Sequence, residues 1–165
     1  MSEIAFTKMH GNGNDFILID EFREKVIPAS EKAAFARRFC DRHFGIGADG
    51  VLFLGQSGSA DIAMEIFNAD GSRAEMCGNG IRCLAKHAFD AGYVGEGACA
   101  VETDAGILGV VITPRNGVWV KVNMGKPLFT RKDIPALGEG EFIEVELHGH
   151  RVSAVNTGVP HAVIF

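Results

Sequence analysis

The chain has 165 residues and a formal net charge of −5, with 47% hydrophobic and 22% charged residues. That length fits one domain with a sizeable core, and the composition is typical of a soluble globular protein. The acidic net charge argues against nucleic-acid partners and anionic membrane partners. No apolar run is long enough to span a membrane, and the N-terminus lacks the apolar core of a signal peptide.

Cysteine and histidine spacing bears on redox compartment and metal binding. The chain contains four cysteines, at positions 40, 77, 83 and 99. They form no CxxC pair and no obvious disulfide framework, so we expect a cytoplasmic protein in a reducing environment. Cys40 and His43 have the spacing of half a zinc site, but no second pair lies at a suitable distance. We therefore expect no metal site.

The first two strands are predicted on either side of a glycine-rich turn. Residues 4–9 form the first strand, and residues 16–20 are a continuous apolar run, which is typical of a strand buried on both faces. The turn over residues 10–15 is compatible with a plain hairpin. Asn14 and Asp15, which lie where the second strand begins, could instead direct polar groups into a cleft.

A helix is predicted over residues 31–43, with Ser30 as its N-cap and Gly45 beyond its end. A tight glycine turn follows, and two further strands are predicted over residues 51–54 and 61–67.

Asn68 follows the second of these strands and opens a polar, glycine-containing turn over residues 68–72. A short extended piece over residues 73–76 then leads to Cys77. Asn68 and Cys77 could therefore face one cleft, whereas a purely turn-forming role for Asn68 explains the same pattern.

The central helix is predicted to begin close to Cys77. Apolar residues follow at helical spacing until Gly92 ends the helix, namely Ile81, Leu84, Ala85, Ala88 and Phe89. At a helix N-terminus, the unpaired N–H groups and the helix dipole favour a thiolate over a thiol and can hold a carboxylate. Gly78 and Gly80 flank Asn79 and let a ligand approach the backbone. The alternative is a small buried cysteine at a strand–helix junction.

Strands dominate the rest of the chain. They are predicted over residues 99–103, 106–113, 118–124, 142–147 and 151–155. Only two helices accompany these many strands, which indicates an α+β fold with a sheet wrapped around a helix.

Six motifs carry a resemblance to a known family: FTKMHGNGNDF at 6–16, GIGADG at 45–50, FNADGS at 67–72, MCGNGIRC at 76–83, VNMG at 122–125 and GVPH at 158–161. Their order along the whole chain resembles that of diaminopimelate epimerases. The resemblance implies a cofactor-independent isomerase that interconverts LL- and meso-2,6-diaminopimelate on the route to lysine and peptidoglycan. It also implies two pseudo-symmetric halves, each a mixed, mostly antiparallel sheet curled around a central apolar helix.

On this resemblance, residues 1–165 are the N-terminal domain, and a second, C-terminal domain is absent from this chain. We expect the full-length enzyme to be a homodimer that acts on a small-molecule substrate, and this chain alone to be inactive. The family uses two cysteines, one on each face of the reacting carbon. The matching residues here are Cys77 as one acid/base, His161 as a tuner of cysteine acidity, and Asn14, Asn68, Gly78 and Asn79 as substrate-binding groups.

Two positions depart from the family pattern. Val159 stands where a substrate-binding asparagine is common, although Asn156 lies three residues earlier, and Gly50 stands where some members carry a ligand-binding glutamine. Both departures concern the distal end of the substrate.

Three alternatives are open. Proline and hydroxyproline racemases share the fold but typically carry histidine in place of Asn79, and phenazine-pathway relatives lack the cysteine pair. A dinucleotide-binding turn would use Gly78, Gly80 and Cys83, with Glu102 farther along the chain. A half-length chain could also act as a binding or scaffold module without catalysis.

Overall fold

The structure is a computed structural model that describes residues 3–165. The chain divides into two compact units, Met1–Asn123 and Met124–Phe165. The first unit contains a 3-10 turn at Ala29–Glu31 and two α-helices, α1 (Lys32–Phe39) and α2 (Gly78–Asp90). Its strands are β1 (Thr7–Gly11), β2 (Asn14–Asp20), β3 (Gly50–Gly55), β4 (Ile62–Asn68), β5 (Arg73–Ala74), β6 (Gly97–Thr103), β7 (Gly106–Pro114) and β8 (Val118–Val122). No helix in the described part of the chain is long and apolar enough to cross a membrane.

These strands form one eight-stranded sheet in the order β1-β2-β3-β4-β6-β7-β8, with β5 paired to β4. The pairs β2–β3 and β4–β6 are parallel, and the others are antiparallel. The predicted mixed, mostly antiparallel sheet is therefore confirmed.

Helix α2 lies in the curve of this sheet. It contacts β1 at one edge and β8 at the other, as well as β2, β3, β4 and β7, which requires the sheet to curl around it. Ile81, Leu84, Ala85 and Ala88 of its predicted apolar face are fully buried. Burying a leucine side chain of this kind stabilises the fold by roughly 1.5–3 kcal/mol. The central helix predicted from the sequence is thus confirmed.

The opposite face of the sheet packs against α1. Phe16 and Leu18 of β2 join the core around α2, whereas Ile17 and Ile19 join a second apolar cluster that includes Ala36 of α1. The prediction that this strand is buried on both faces is confirmed.

Helix α1 is shorter than predicted, because it ends at Phe39 rather than His43, and Ser30 does not cap it. The side chain of Asp41 accepts hydrogen bonds from the N–H groups of His43 and Phe44, both at 2.7 Å. Such local side-chain bonds compete with helical ones and end the helix.

A charged residue of α1 lies inside the fold. Lys32 is 2% exposed, and its Nζ lies 2.8 Å from Glu21 Oε2 and 3.2 Å from Glu65 Oε2. The ammonium also sits 4.2 Å from the ring centre of Phe53. Glu21 accepts two backbone N–H groups with its other oxygen, from Val26 at 3.2 Å and Ile27 at 2.8 Å. This buried pair holds the start of α1 to the sheet.

The second unit contains a three-stranded antiparallel sheet in the order β11-β10-β9. Its strands are β9 (Val145–Leu147), β10 (His150–Asn156) and β11 (Pro160–Ile164). The strand predicted over residues 142–147 is shorter than expected, because Glu144 has a φ of 49°, outside the extended region. Strands β9 and β10 form a hairpin whose turn lies at residues 148–149, since Leu147 pairs with His150.

Candidate active site

Cys77 is the N-cap residue of α2. Its backbone is extended, with φ −145° and ψ 116°, and its Sγ accepts a hydrogen bond from the N–H of Gly80 at 3.4 Å. The side chain is only partly buried. The first-turn N–H groups of Gly78 and Asn79 have no acceptor within the helix, as in any α-helix. A half-buried thiol thus lies beside two donors that can hold an anion.

The glycines around this turn have a packing role that the sequence analysis did not assign. A Cβ on Gly80 would lie 3.0 Å from the Leu52 side chain, and a Cβ on Gly11 would lie 3.1 Å from the carbonyl oxygen of Asn79. The absence of a side chain at Gly80 therefore lets α2 pack against β3. The strand immediately before α2, β5, has only two residues, unlike the long central strand that precedes a dinucleotide-binding turn.

The other cysteines are buried and differ chemically from Cys77. Burial raises the pKa of the Cys40 thiol to about 11 and that of the Cys99 thiol to about 11. Burial also raises the pKa of Cys83, which lies on the buried face of α2. Cys77 is therefore the candidate for thiolate chemistry among the four.

We expect iodoacetamide to modify Cys77 at least about tenfold faster than the other three cysteines near neutral pH, because they are buried and protonated. Peptide mass mapping over a time course measures the four rates. Cys83 is the matched internal control, since it lies on the same helix. Preferential labelling of Cys40, Cys83 or Cys99 with Cys77 inert would contradict the assignment.

Asn14 lies next to the thiol. Its Oδ1 is 3.6 Å from the Sγ of Cys77 and accepts a hydrogen bond from the Nδ2 of Asn79 at 3.2 Å. Its own Nδ2 donates to Asp49 Oδ2 at 2.8 Å. The side chain of Arg82 in turn donates to the Oδ1 of Asn79. The structure thus brings Asn14, Cys77 and Asn79 together.

A charged cluster continues this network away from the thiol. Asp15 lies 2.7 Å from Arg42 and 2.6 Å from Lys8, and Arg42 also lies 2.8 Å from Asp49. The hydrogen bond from Arg42, together with Lys8, holds the pKa of Asp15 well below its usual range. The sequence analysis did not identify Arg42 or Asp49 as site residues. The GIGADG motif, which contains Asp49, was the signal that could have indicated this cluster.

Asn68 is the last residue of β4 and lies at the same end of the sheet as Asn14. In the strand register it opposes Gly50, which in turn opposes Phe16 of β2. Its side chain is exposed and donates to the hydroxyl of Ser72 at 2.9 Å. Its backbone N–H bonds to the carbonyl of Ser72 at 2.8 Å. Asn68 therefore closes a turn and also presents a polar side chain at this end of the sheet.

Gly50 leaves no space for a side chain. A Cβ at this position would lie 2.7 Å from the carbonyl oxygen of Phe67 on the neighbouring strand. Since the obstacle is backbone, a larger residue requires the two strands to separate.

His161 belongs to the second unit, on β11, where it pairs with Val155 and is exposed. Val159 is also exposed. The side chain of Asn156 donates to the carbonyl of Asp133 at 2.8 Å and accepts the N–H of Gly158 at 2.9 Å. Asn156 is therefore engaged within its own unit.

Among residues 3–165, no group of three or more His, Cys, Asp or Glu side chains is placed to hold a metal ion.

Comparison with known proteins points to one family. The family model described as diaminopimelate epimerase matches residues 6–130. A diaminopimelate epimerase of Methanothrix thermoacetophila is 60% identical over 100% of this chain and 59% of its own length. One of Methanocella arvoryzae is 61% identical, with the same coverage of 100% and 59%. The chain thus spans about 59% of the length of these curated relatives.

Solved structures share the fold at low identity. A phenazine biosynthesis protein of the PhzF family from Bacillus anthracis matches with a TM-score of 0.71 and 20% identity, over 99% of this chain and 56% of that one. A hydroxyproline epimerase from Agrobacterium vitis matches with a TM-score of 0.63 and 19% identity, over 96% of this chain and 50% of that one. These two likenesses concern the fold alone.

Proposed function

The chain belongs to the diaminopimelate epimerase family, and from this premise we propose that residues 1–165 form the N-terminal domain of an epimerase that interconverts LL- and meso-2,6-diaminopimelate. A second, C-terminal domain would complete the enzyme, in keeping with the 59% of the relatives' length that this chain spans. The reaction would supply precursors of lysine and peptidoglycan.

One observation carries the proposal: Cys77 is the N-cap residue of α2. Its sulfur accepts the N–H of Gly80 and lies beside the side chain of Asn14. The substrate carboxylate at the reacting carbon would bind the N–H groups of Gly78 and Asn79. The Cys77 thiolate would then remove the Cα proton and become a thiol. The electron pair left on Cα would spread into the carboxylate, where the first-turn donors and helix dipole stabilise the added negative charge.

Inversion requires that a proton reach the opposite face of Cα. We assign this step to a second cysteine in the C-terminal domain, whose thiol would give up its proton as the Cys77 thiolate takes one. His161 would adjust the acidity of the cysteines, and the amides of Asn14 and Asn68 would bind polar groups of the substrate. The reverse reaction exchanges the roles of the two sulfurs.

The wider expectations follow from the same proposal. The partner is a small amino acid, and neither nucleic acid nor a membrane takes part. The full-length enzyme would work as a homodimer in the cytoplasm. Proton transfer between two sulfurs needs no organic cofactor or metal, provided that the carboxylate's developing charge is stabilised.

The full-length polypeptide, incubated with the LL isomer in deuterated water, should yield the meso isomer with one deuterium at the inverted Cα. Chiral separation followed by mass analysis measures product and label together. The same assay with trans-4-hydroxy-L-proline is the matched control, because a hydroxyproline epimerase shares the fold. Turnover of the proline derivative alone would contradict the substrate, and meso product without Cα deuterium would contradict the acid/base route.

A further inference from the structure

The carboxylate of Asp49 lies one residue away from the thiol along the hydrogen-bond network. It accepts the Nδ2 of Asn14 at 2.8 Å, the backbone N–H of Asp15 at 3.1 Å and the guanidinium of Arg42 at 2.8 Å. These three donors hold both of its oxygens, although the side chain is 44% exposed. The hydrogen bonds of Asp49 reach Asn14, Asp15 and Arg42, and Asn14 connects it to the thiol of Cys77.

An ionised carboxylate can only accept hydrogen bonds, so the side of Asn14 that faces Asp49 must be its NH₂ group. The amide oxygen of Asn14 is therefore turned the other way, towards Cys77 and Asn79. Asn79 supports the same orientation. Its own oxygen accepts from Arg82, which leaves its NH₂ group to donate to Asn14.

The orientation of the Asn14 amide decides whether the sulfur of Cys77 faces a hydrogen-bond acceptor or a donor. The oxygen of Asn14 accepts a hydrogen bond from the protonated thiol of Cys77 at 3.6 Å and repels a thiolate. The N–H of Gly80, at 3.4 Å from the same sulfur, has the opposite preference. A reversed amide would offer the sulfur a second donor and would set two NH₂ groups, those of Asn14 and Asn79, against each other.

We propose that Asp49 is a positioning residue, which fixes the Asn14 amide with its oxygen towards Cys77 and thereby stabilises the protonated thiol when no substrate is bound. The inference rests on the proposed role of Cys77 as a proton carrier. An enzyme that converts both isomers needs Cys77 as a thiolate for one and as a thiol for the other. A residue that stabilises the thiol offsets the helix N-terminus, which favours the thiolate, and so keeps the two forms close in free energy.

The first test uses the unmodified chain. The side-chain amide protons of Asn14 should exchange with solvent at least about tenfold more slowly than those of Asn116, which lies in an exposed turn, because a hydrogen bond to a carboxylate protects them. Nuclear magnetic resonance of the labelled protein measures both rates. Equal rates would overturn the proposal.

The second test compares two variants. Asp49→Ala should raise the iodoacetamide rate of Cys77 about fivefold, the effect of losing one hydrogen bond to the thiol, and should bring Asn14 amide exchange close to that of Asn116. Asp15→Ala removes a carboxylate that shares Arg42 with Asp49 but accepts its side-chain hydrogen bonds from Lys8 and Arg42. It should change either rate by less than about twofold.

The control separates amide orientation from the general loss of a negative charge. Equal acceleration of Cys77 in the two variants would overturn the proposal, as would unchanged Asn14 exchange in Asp49→Ala. Thermal melting of both variants identifies any loss of fold, and the measurement on the unmodified chain stands without them. The exchange and alkylation rates are measured on the 165-residue chain without substrate. Their outcome therefore does not depend on whether the full-length polypeptide converts diaminopimelate.

Discussion

Incubated alone with LL-diaminopimelate in deuterated water, the 165-residue chain is expected to release no meso isomer. Inversion needs a base on one face of Cα and an acid on the other, and under the proposed mechanism this chain supplies one of the two, Cys77. Cys83, the other cysteine of α2, is 4% exposed and sits in the core around that helix. A domain lacking its partner would also leave the carbanion open to water, where its charge is poorly stabilised.

Addition of a separately expressed C-terminal domain should restore turnover, with deuterium at Cα of the meso product. In that mixture Cys77→Ala should reduce the rate by about 10²–10⁴-fold, the usual contribution of a general acid or base. Cys83→Ala is the matched control and should retain most of the activity. Turnover by the 165-residue chain without any addition would refute the two-cysteine mechanism.

Lys32→Ala is expected to lower the free energy of unfolding by about 3–5 kcal/mol, because it removes the buried cation that lies 2.8 Å from the buried Glu21 carboxylate. Glu21 is 3% exposed, so solvent cannot replace the ammonium. The loss of the lysine's contact with the Phe53 ring adds to the effect. Urea unfolding followed by circular dichroism measures the change.

Lys25→Ala provides the control for this variant. Its ammonium lies 3.8 Å from the same oxygen of Glu21, but its side chain is 71% exposed. Because this ammonium stays in water, we expect its loss to cost about 1 kcal/mol or less. The double variant Glu21→Gln with Lys32→Met should recover part of the lost stability, since it removes both buried charges and keeps an acceptor for the N–H groups of Val26 and Ile27. Similar losses in Lys32→Ala and Lys25→Ala would refute the role of burial.

The position of Cys77 could be predicted from the sequence because its determinants are local. Two glycines, an asparagine and a switch to helical spacing all fall within the few residues that define a helix start. The burial of β2 on both faces was equally predictable, since a continuous apolar run carries that information by itself. The small number of helices among many strands also predicted a sheet wrapped around a helix, whereas the two pseudo-symmetric halves were expected only through the family resemblance.

Other features depend on residues that meet from distant parts of the chain. Lys32 looks like a solvated helical residue until Glu21 and Glu65 are brought to it by the fold. Arg42 joins Asp15 and Asp49 for the same reason, across three different segments. The predicted C-terminal end of α1 was wrong for a local reason. In the sequence, an aspartate that accepts hydrogen bonds from nearby backbone N–H groups is hard to distinguish from one that points to solvent.

Gly50 has a consequence for how recognition in such a site can change over evolutionary time. A side chain there collides with the carbonyl of Phe67, so β3 and β4 must move apart to accept it. Asn68 follows Phe67 directly and opposes Gly50 in the register, so the same movement shifts Asn68. A larger residue at position 50 is therefore expected to displace Asn68, so the effects of substitutions at these two positions should not be additive.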